Sequence, residues 1–201
     1  MKIHQIGAGG VGYWLAVALA RDGVDVIVYD TDTFEGGLGH MRLPRAAPTT
    51  KKIKSLYGFC LVSMGDKLTN LRDELFTGTE VCEGDLVVDC SDMALTLRKP
   101  IYELVMANGG RYIRISYDGK NKTVVAAEGL PIIGRPKGGY AEVPNLALSF
   151  MAGGIGALVV QKILDGHTGY IDLQISLEDY LKEWSADAEN TDNQELPPQS
   201  K

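Results

Sequence analysis

The N-terminal residues 1–30 contain the feature that most restricts the fold, a glycine cluster (GAGGVG) between a short apolar stretch and a helical pattern. Residues Ile3–Ile6 predict a strand, and Val11–Arg21 predict a helix with an apolar packing side. The β-branched run Asp25–Tyr29 predicts a second strand that leads into Asp30. Together these elements predict a β-α-β unit.

The glycines Gly7, Gly9 and Gly12 follow the pattern G-x-G-x-x-G, and Gly10 lies in the same loop. In this pattern the first glycine allows a tight turn, the second lets a phosphate approach the backbone, and the third lets helix and strand pack closely. The free N–H groups at the helix N-terminus favour an anion there. Asp30, about twenty residues further on, is expected to bind a ribose hydroxyl pair. The unit is therefore predicted to be a Rossmann-type nucleotide-binding unit, equally suited to NAD, FAD or ATP.

The rest of the chain predicts an α/β fold with a mainly parallel sheet and helices on both faces, because strands and helices alternate. The apolar run Asp85–Cys90 is typical of a central parallel strand. The longest helical candidate is Asn145–Leu164, whose glycines predict close packing against another backbone. We also expect strands over Phe59–Ser63, Tyr112–Ser116 and Thr123–Ala127, one or two helical turns over Lys51–Tyr57, and helices over Thr69–Phe76 and Ala94–Asn108.

The composition narrows the possible functions and the compartment. The 201 residues predict one nucleotide-binding domain over residues 1–180 and a flexible acidic tail over residues 187–201. The net charge of −6 argues against a nucleic-acid partner. Three cysteines without a C-x-x-C pair, no leader and no apolar run of membrane-spanning length predict a cytoplasmic protein that does not bind membranes.

Two further acidic residues are expected at the carboxyl edge of the sheet, where open α/β folds bind ligands. Asp32 follows Asp30 on the same alternation, and Asp92 follows the central strand. A carboxylate repels phosphates unless a metal ion intervenes, so Asp92 suggests Mg²⁺ on a triphosphate. The alternative interpretation is that Asp92 caps the helix that begins near Ala94. Basic residues that can neutralise the phosphates are Arg42 and the cluster Lys51, Lys52 and Lys54.

Several segments together resemble a known family. They are IGAGGVGYWLAVALARDGVDVIVYDTD, a basic helix at KKIKSL, DLVVDCSDMALTLRKPIYELVMANGGRYIRIS, and GGIGALVVQKILDG. In this order and spacing, across about residues 2 to 166, the chain resembles the ThiF, MoeB and HesA group of adenylyltransferases related to ubiquitin-activating enzymes.

The resemblance implies ATP-dependent adenylation of the C-terminal carboxylate of a small ubiquitin-like or sulfur-carrier protein, with release of pyrophosphate. It implies ATP and Mg²⁺ as cofactors and a homodimer. The glycine loop would cradle phosphate and Asp30 would hold the ribose, while Asp32 matches the second acidic residue of the family's D-x-D. Lys52 would contact phosphate and Asp92 would bind Mg²⁺. Arg42 matches a family arginine if one residue is inserted before it, whereas the family's preceding asparagine is absent.

Two alternatives remain open at the level of sequence. The glycine pattern with Asp30 also fits an NAD(P)-dependent oxidoreductase, with NAD preferred. The departures near Arg42 also fit a non-catalytic relative that binds a nucleotide or a ubiquitin-like partner. No cysteine follows Cys90, which lies in an apolar strand, so no thioester-forming cysteine is expected.

Overall fold

The computed structural model describes residues 1–30, 71–72, 74–119, 121–130 and 146–179. The strand expected over Phe59–Ser63, the turns over Lys51–Tyr57 and the tail over residues 187–201 lie outside these residues. Within the described part, the elements in chain order are β1 Ile3–Ile6, α1 Gly10–Arg21, β2 Ile27–Tyr29, β3 Leu71–Arg72, β4 Leu86–Asp89, α2 Leu95–Ala107, β5 Arg111–Asp118, β6 Thr123–Glu128, α3 Leu146–Leu164 and β7 Asp172–Ser176.

The strands form one sheet in the order β3-β2-β1-β4-β5-β6-β7. The pairings from β3 to β5 are parallel, and those of β6 with β5 and β7 are antiparallel. The prediction of an α/β fold with a mainly parallel sheet is therefore confirmed. The connection between β5 and β6 is too short for a crossover helix, and such a short connection permits only an antiparallel neighbour.

One sequence prediction fails at the edge of the sheet. A helix was expected over Thr69–Phe76, but Leu71–Arg72 forms strand β3. Its backbone pairs with β2, with Leu71 opposite Val28 and Arg72 opposite Tyr29. The edge of β2 offers these residues backbone partners, and such a tertiary pairing outweighs a weak local helical preference.

The two faces of the sheet bury separate apolar clusters, because successive side chains of a strand point to opposite faces. Helices α1 and α3 cover one face, where the sheet contributes Leu86, Val88 and Ile113. Helix α2 covers the other face, where Val87 and Tyr112 pack with residues of that helix. The prediction of helices on both faces is thus confirmed.

Helices α1 and α3 approach each other closely through two glycines of α3. A Cβ atom built at Gly153 would lie 2.5 Å from Trp14 Cβ and 2.8 Å from the Leu15 backbone nitrogen. A Cβ atom at Gly156 would lie 3.2 Å from side-chain atoms of Leu15 and Ile115. The close packing predicted for this helix is confirmed, and it holds α1 firmly against the sheet.

This contact gives a stability prediction with an internal control. Gly153→Ala is expected to destabilise the protein by about 2 kcal/mol, because the added methyl group overpacks the interface. At Gly154, one residue along the same helix, a Cβ atom meets nothing within 4 Å in the part of the chain that the structure describes, so the better helix propensity of Gly154→Ala should stabilise the protein by up to about 1 kcal/mol. Urea unfolding of both variants measures the difference. Equal effects of the two substitutions would contradict the described packing.

Helix α3 also corrects an expectation about membrane spans. The segment Ala147–Leu164 is long and apolar enough to cross a membrane by length and composition alone, so the expectation of no such run was wrong. Half of this segment is buried inside the protein, and Leu148, Ala152 and Val160 are fully buried. Core helices pass the same test, and the packing of α3 on α1 and the sheet is that of a core helix.

A buried histidine lies on the α2 face of the sheet. His4 stacks on Tyr29, its Nδ1 lies 3.2 Å from the Tyr29 hydroxyl, and its Nε2 lies 3.6 Å from Asp85 Oδ2. Burial lowers the pKa of His4, and the neighbouring carboxylate of Asp85 only partly offsets this. His4 therefore stays neutral in the folded protein at pH values where the unfolded chain takes up a proton.

The free energy of unfolding is accordingly expected to fall as the pH drops below about 6.5, the ordinary pKa of histidine, by at most about 1.4 kcal/mol per pH unit. Asp85 contributes a further loss of stability at lower pH. Burial favours its protonated form, but hydrogen bonds from the Lys2 and Cys82 N–H groups more than compensate and lower its pKa. Urea unfolding between pH 5 and about pH 7 tests the contribution of His4 to this pH dependence. His4→Gln should flatten the slope in that range, with His167→Gln as the control for replacing a histidine.

Candidate functional site

Three parallel strands end at the same level of the sheet. In the register, Ile6 of β1 lies opposite Tyr29 of β2 and Asp89 of β4. The chain leaves β1 for α1 and β2 on one side, whereas β4 lies on the other side of β1. Such a reversal of strand order opens a crevice at the carboxyl ends, where α/β proteins bind ligands. The segments following β1, β2 and β4 border this crevice.

Gly7 makes the tight turn at the end of β1. Its φ is +88°, in the left-handed region that favours glycine, and its N–H donates to the Tyr29 carbonyl at 2.8 Å. A Cβ atom at this position would lie 3.1 Å from both Cα and N of Ser91. The glycine loop therefore lies directly against the segment that follows β4 and carries Asp92.

Gly12 and the side chain of Gln5 together fix the shape of the glycine loop. Gln5 is fully buried, and its Nε2 donates to the carbonyls of Gly7 at 2.9 Å and Gly12 at 2.8 Å. A Cβ atom at Gly12 would overlap the Gly7 carbonyl oxygen and lie 2.9 Å from Gln5 Nε2. Gln5 is not among the predicted site residues, although an amide in the middle of a buried strand is a detectable signal, since such a group needs hydrogen-bond partners.

The N-terminus of α1 points its free N–H groups at the crevice. Gly9 is the N-cap residue, and the Tyr13 N–H donates to its carbonyl at 2.9 Å. The N–H groups of Gly10, Val11 and Gly12 precede this first bond and have no carbonyl partner within the helix. Among the described residues, a Cβ atom at Gly9 would meet nothing within 4 Å, so this part of the structure leaves room at the position where a phosphate would approach.

The neighbouring glycine of this loop serves packing. A Cβ atom at Gly10 would lie 3.0 Å from the Ser149 Oγ of α3. Ser149 is 2% exposed, so a side chain at Gly10 has little room on that side. Gly10 thus packs the start of α1 against α3, whereas Gly9 has no described residue in its way.

Asp30 follows β2 and ties the second strand to the glycine loop. Its Oδ2 accepts the Ala8 N–H at 2.6 Å, and its own N–H donates to the Arg72 carbonyl at 3.1 Å. The half-buried carboxylate lies at the end of β2, as predicted. Its contact with a ribose remains a prediction.

Asp92 is exposed and lies on the segment between β4 and α2. The N-cap residue of α2 is Ala94, which makes no side-chain capping hydrogen bond. The alternative interpretation of Asp92 as the helix cap is therefore wrong, because the N-cap residue lies two residues later and the helix begins at Leu95. Asp92 is left at the carboxyl edge of the sheet, beside the residues that contact the glycine loop.

Cys90 ends the apolar run of β4. Burial raises the pKa of its thiol well above the usual value, and the charge of Asp89 adds to this effect. A thiol in such surroundings stays protonated and unreactive. The half-buried Cys90 packs against the apolar cluster covered by α1 and α3, as predicted for a small core residue.

The structure thus brings together Gly7, Gly9, Gly10, Gly12, Asp30 and Asp92 at one edge of the sheet. The other predicted site residues are Asp32, Arg42 and Lys52, and they lie outside the described residues. The roles assigned to all of these residues remain predictions.

The described residues fit a nucleoside triphosphate with Mg²⁺. The open space at Gly9 and the free N–H groups of α1 match the needs of phosphate oxygens. Mg²⁺ in nucleotide sites is commonly held by one or two carboxylates together with the phosphates themselves. Asp92 is the residue of this edge that would hold the ion.

Comparison of sequences gives no relatives. No protein-family model matches the chain, and no curated protein sequence matches it.

Comparison of structures gives proteins of similar fold. MccB from E. coli superposes with a TM-score of 0.62 at 15% identity, over 88% of this chain and 62% of the MccB chain. E. coli MccB with ATP gives 0.61 at 17% identity, over 88% and 61%. HcgE from Methanothermobacter marburgensis, bound to guanylylpyridinol and ATP, gives 0.53 at 14% identity, over 83% and 96%. This chain therefore spans about 62% of the length of MccB.

At these identities the likeness concerns the fold. MccB is a protein of the ThiF/MoeB family, so the resemblance predicted from the sequence is confirmed at the level of the fold. The chain has the Rossmann-type α/β fold that MccB and HcgE share.

Proposed function

We propose that this protein binds ATP with Mg²⁺ at the glycine loop and transfers the adenylyl group to the C-terminal carboxylate of a small protein or peptide. One observation carries the proposal. The glycine loop, which leads into the N-terminus of α1, lies against the segment that carries Asp92, because Gly7 packs next to Ser91. An NAD-binding fingerprint does not require a carboxylate at this second position. The likeness to MccB and HcgE, whose crystal structures hold ATP, supports the choice of nucleotide.

The proposed reaction makes modest demands on the protein. A carboxylate oxygen of the substrate attacks the α-phosphorus of ATP, the bond from that phosphorus to the bridging oxygen breaks, and pyrophosphate leaves. The attacking group is already an anion, so no general base is required. The N–H groups of α1 would hold the phosphates and stabilise charge as the bond breaks. Mg²⁺ at Asp92 would offset the negative charge of the phosphates.

The substrate, partners and compartment extend this proposal. Crystal structures hold MccB with N-formylated MccA, and with AMPCPP and MccA, which supports a small protein or peptide as substrate. We propose a ubiquitin-like or sulfur-carrier protein as that partner, in a cytoplasmic homodimer. Arg42 and Lys52 would neutralise the phosphates, and Asp32 would assist Asp30. ATP–pyrophosphate exchange with a purified sulfur-carrier protein tests the substrate, and the same carrier with an amidated C-terminus is the control.

The metal dependence of nucleotide binding tests the role of Asp92. Asp92→Asn is expected to weaken ATP binding in the presence of Mg²⁺ at least about tenfold, equal to about 1.4 kcal/mol, because the amide no longer carries the charge that attracts the cation. Binding of ATP without Mg²⁺ should not weaken, since a repelling charge is removed. Calorimetric titration measures both affinities.

A matched control is Asp165→Asn, which changes an exposed carboxylate just beyond the C-terminus of α3. It should leave both affinities unchanged. An Asp92→Asn protein whose ATP affinity responds to Mg²⁺ like that of the wild type would exclude Asp92 as the metal ligand.

A further inference from the structure

A buried carboxylate on β4 connects the core of the protein to the segment of Asp92. Asp89 is the last residue of β4 and is fully buried. Its side chain lies on the α2 face of the sheet, and each of its two oxygens accepts two hydrogen bonds. The two oxygens face different parts of the molecule.

Oδ1 of Asp89 faces the loop after the strand. It accepts the Ser91 N–H at 2.8 Å and the Ser91 hydroxyl at 2.6 Å. The Ser91 carbonyl accepts a hydrogen bond from Arg98 Nη2 at 3.0 Å, and the Ser91 Oγ accepts the Met93 N–H at 3.4 Å. Ser91 is therefore held at its N–H, its carbonyl and its side chain, and the next residue is Asp92.

Oδ2 of Asp89 faces the core. It accepts Arg98 Nε at 2.5 Å and the Tyr112 hydroxyl at 2.5 Å. Arg98 is 5% exposed and Tyr112 is 2% exposed. A buried carboxylate needs such partners, because burying its charge without them is costly. The core side of Asp89 thus anchors the carboxylate, while its loop side holds Ser91.

The held residue also lies against the glycine loop, since a Cβ atom at Gly7 would lie 3.1 Å from Ser91 Cα. We infer that Asp89 is a positioning residue that fixes the Ser91–Asp92 segment against the glycine loop, so that ATP and Mg²⁺ meet a preformed site. This inference rests on the proposed function for its consequence in nucleotide binding. The fixing of the segment itself does not depend on any ligand.

Three substitutions separate the two sides of the carboxylate. Ser91→Ala removes the hydroxyl bond on the loop side. Asp89→Asn removes the charge and replaces one carboxylate oxygen by an amide nitrogen. That nitrogen cannot accept the two hydrogen bonds that the oxygen accepted. Tyr112→Phe removes a core-side bond and leaves Oδ1 with Ser91 unchanged, which makes it the matched control for disturbing the same buried network.

Hydrogen–deuterium exchange of the ligand-free variants tests the positioning directly. Ser91→Ala should speed exchange of the residue-91 amide at least about tenfold relative to the wild type, because that N–H donates to Asp89 Oδ1 and exchanges only when the segment opens. Asp89→Asn should speed exchange of the same amide. Tyr112→Phe should lower the midpoint of thermal unfolding without this local increase. Unchanged exchange in Ser91→Ala, or an equal local increase in Tyr112→Phe, would overturn the inference whether or not the protein binds ATP.

Nucleotide binding then tests the consequence. Ser91→Ala should weaken binding of ATP with Mg²⁺ about three- to tenfold, at most about 1.4 kcal/mol, and bring its affinity closer to that measured without Mg²⁺. Tyr112→Phe should bind as the wild type does. Faster exchange in Ser91→Ala with an unchanged Mg²⁺ response would refute the link to the site. A wild-type protein that binds no ATP would instead refute the proposed function.

Discussion

Gly12→Ala is expected to lower the free energy of unfolding by about 3 kcal/mol, near the upper range for overpacking, and to abolish ATP binding. The added methyl group would overlap the Gly7 carbonyl oxygen and lie 2.9 Å from Gln5 Nε2. Both groups belong to the hydrogen bonds that shape the loop. The backbone atoms of β1 and α1 would have to separate, and the free N–H groups would move with them.

Gly9→Ala is the control, because a methyl group there meets no described residue within 4 Å. Its stability should fall by less than about 1 kcal/mol, the scale of a changed N-cap residue. ATP affinity should nevertheless drop at least about tenfold, since the methyl group occupies the space of the phosphate. Urea unfolding and calorimetric titration measure the two quantities. A Gly9→Ala protein that keeps full ATP affinity would show that phosphate does not approach the loop there.

Arg98→Met is expected to destabilise the protein by about 3–5 kcal/mol, the usual cost of leaving one partner of a buried ion pair. The substitution strips Asp89 of its charged partner, and the carboxylate is 0% exposed. It also removes the donor to the Ser91 carbonyl. Thermal or urea unfolding measures the loss.

Lys99→Met provides the comparison on the same helix. Lys99 is exposed and forms an ion pair with Glu103 at 3.7 Å, an i,i+4 contact on the surface. Its removal should cost about 0.5 kcal/mol or less. Similar losses for Arg98→Met and Lys99→Met would mean that the Asp89–Arg98 pair contributes little, contrary to the described burial.

The N-terminal unit could be predicted closely because its glycines carry steric requirements that the sequence displays. Gly7 needs a positive φ, and Gly12 needs the absence of a side chain. The predicted strand Ile3–Ile6 matches β1, and the predicted helix Val11–Arg21 differs from α1 by one residue. Such local steric requirements do not depend on how the rest of the chain folds.

The missed features depend on contacts between distant parts of the chain. Strand β3 forms because its backbone can pair with the edge of β2. The segment is too short to show the alternation of apolar and polar residues that would predict a strand. Asp89 was read as part of an apolar strand, although it lies at the centre of a buried network with Arg98 and Tyr112. Sequence spacing gives no sign that these side chains converge from β4, α2 and β5.

The most direct test of the central claim is the nucleotide preference of the wild-type protein, measured by calorimetric titration with ATP and Mg²⁺, with NAD⁺ and with NADH. The account predicts that ATP with Mg²⁺ binds at least about tenfold more tightly than either dinucleotide, a difference of about 1.4 kcal/mol or more. Tighter binding of NAD⁺ or NADH, without any dependence on Mg²⁺, would contradict the adenylylation site and leave only the fold in common with MccB.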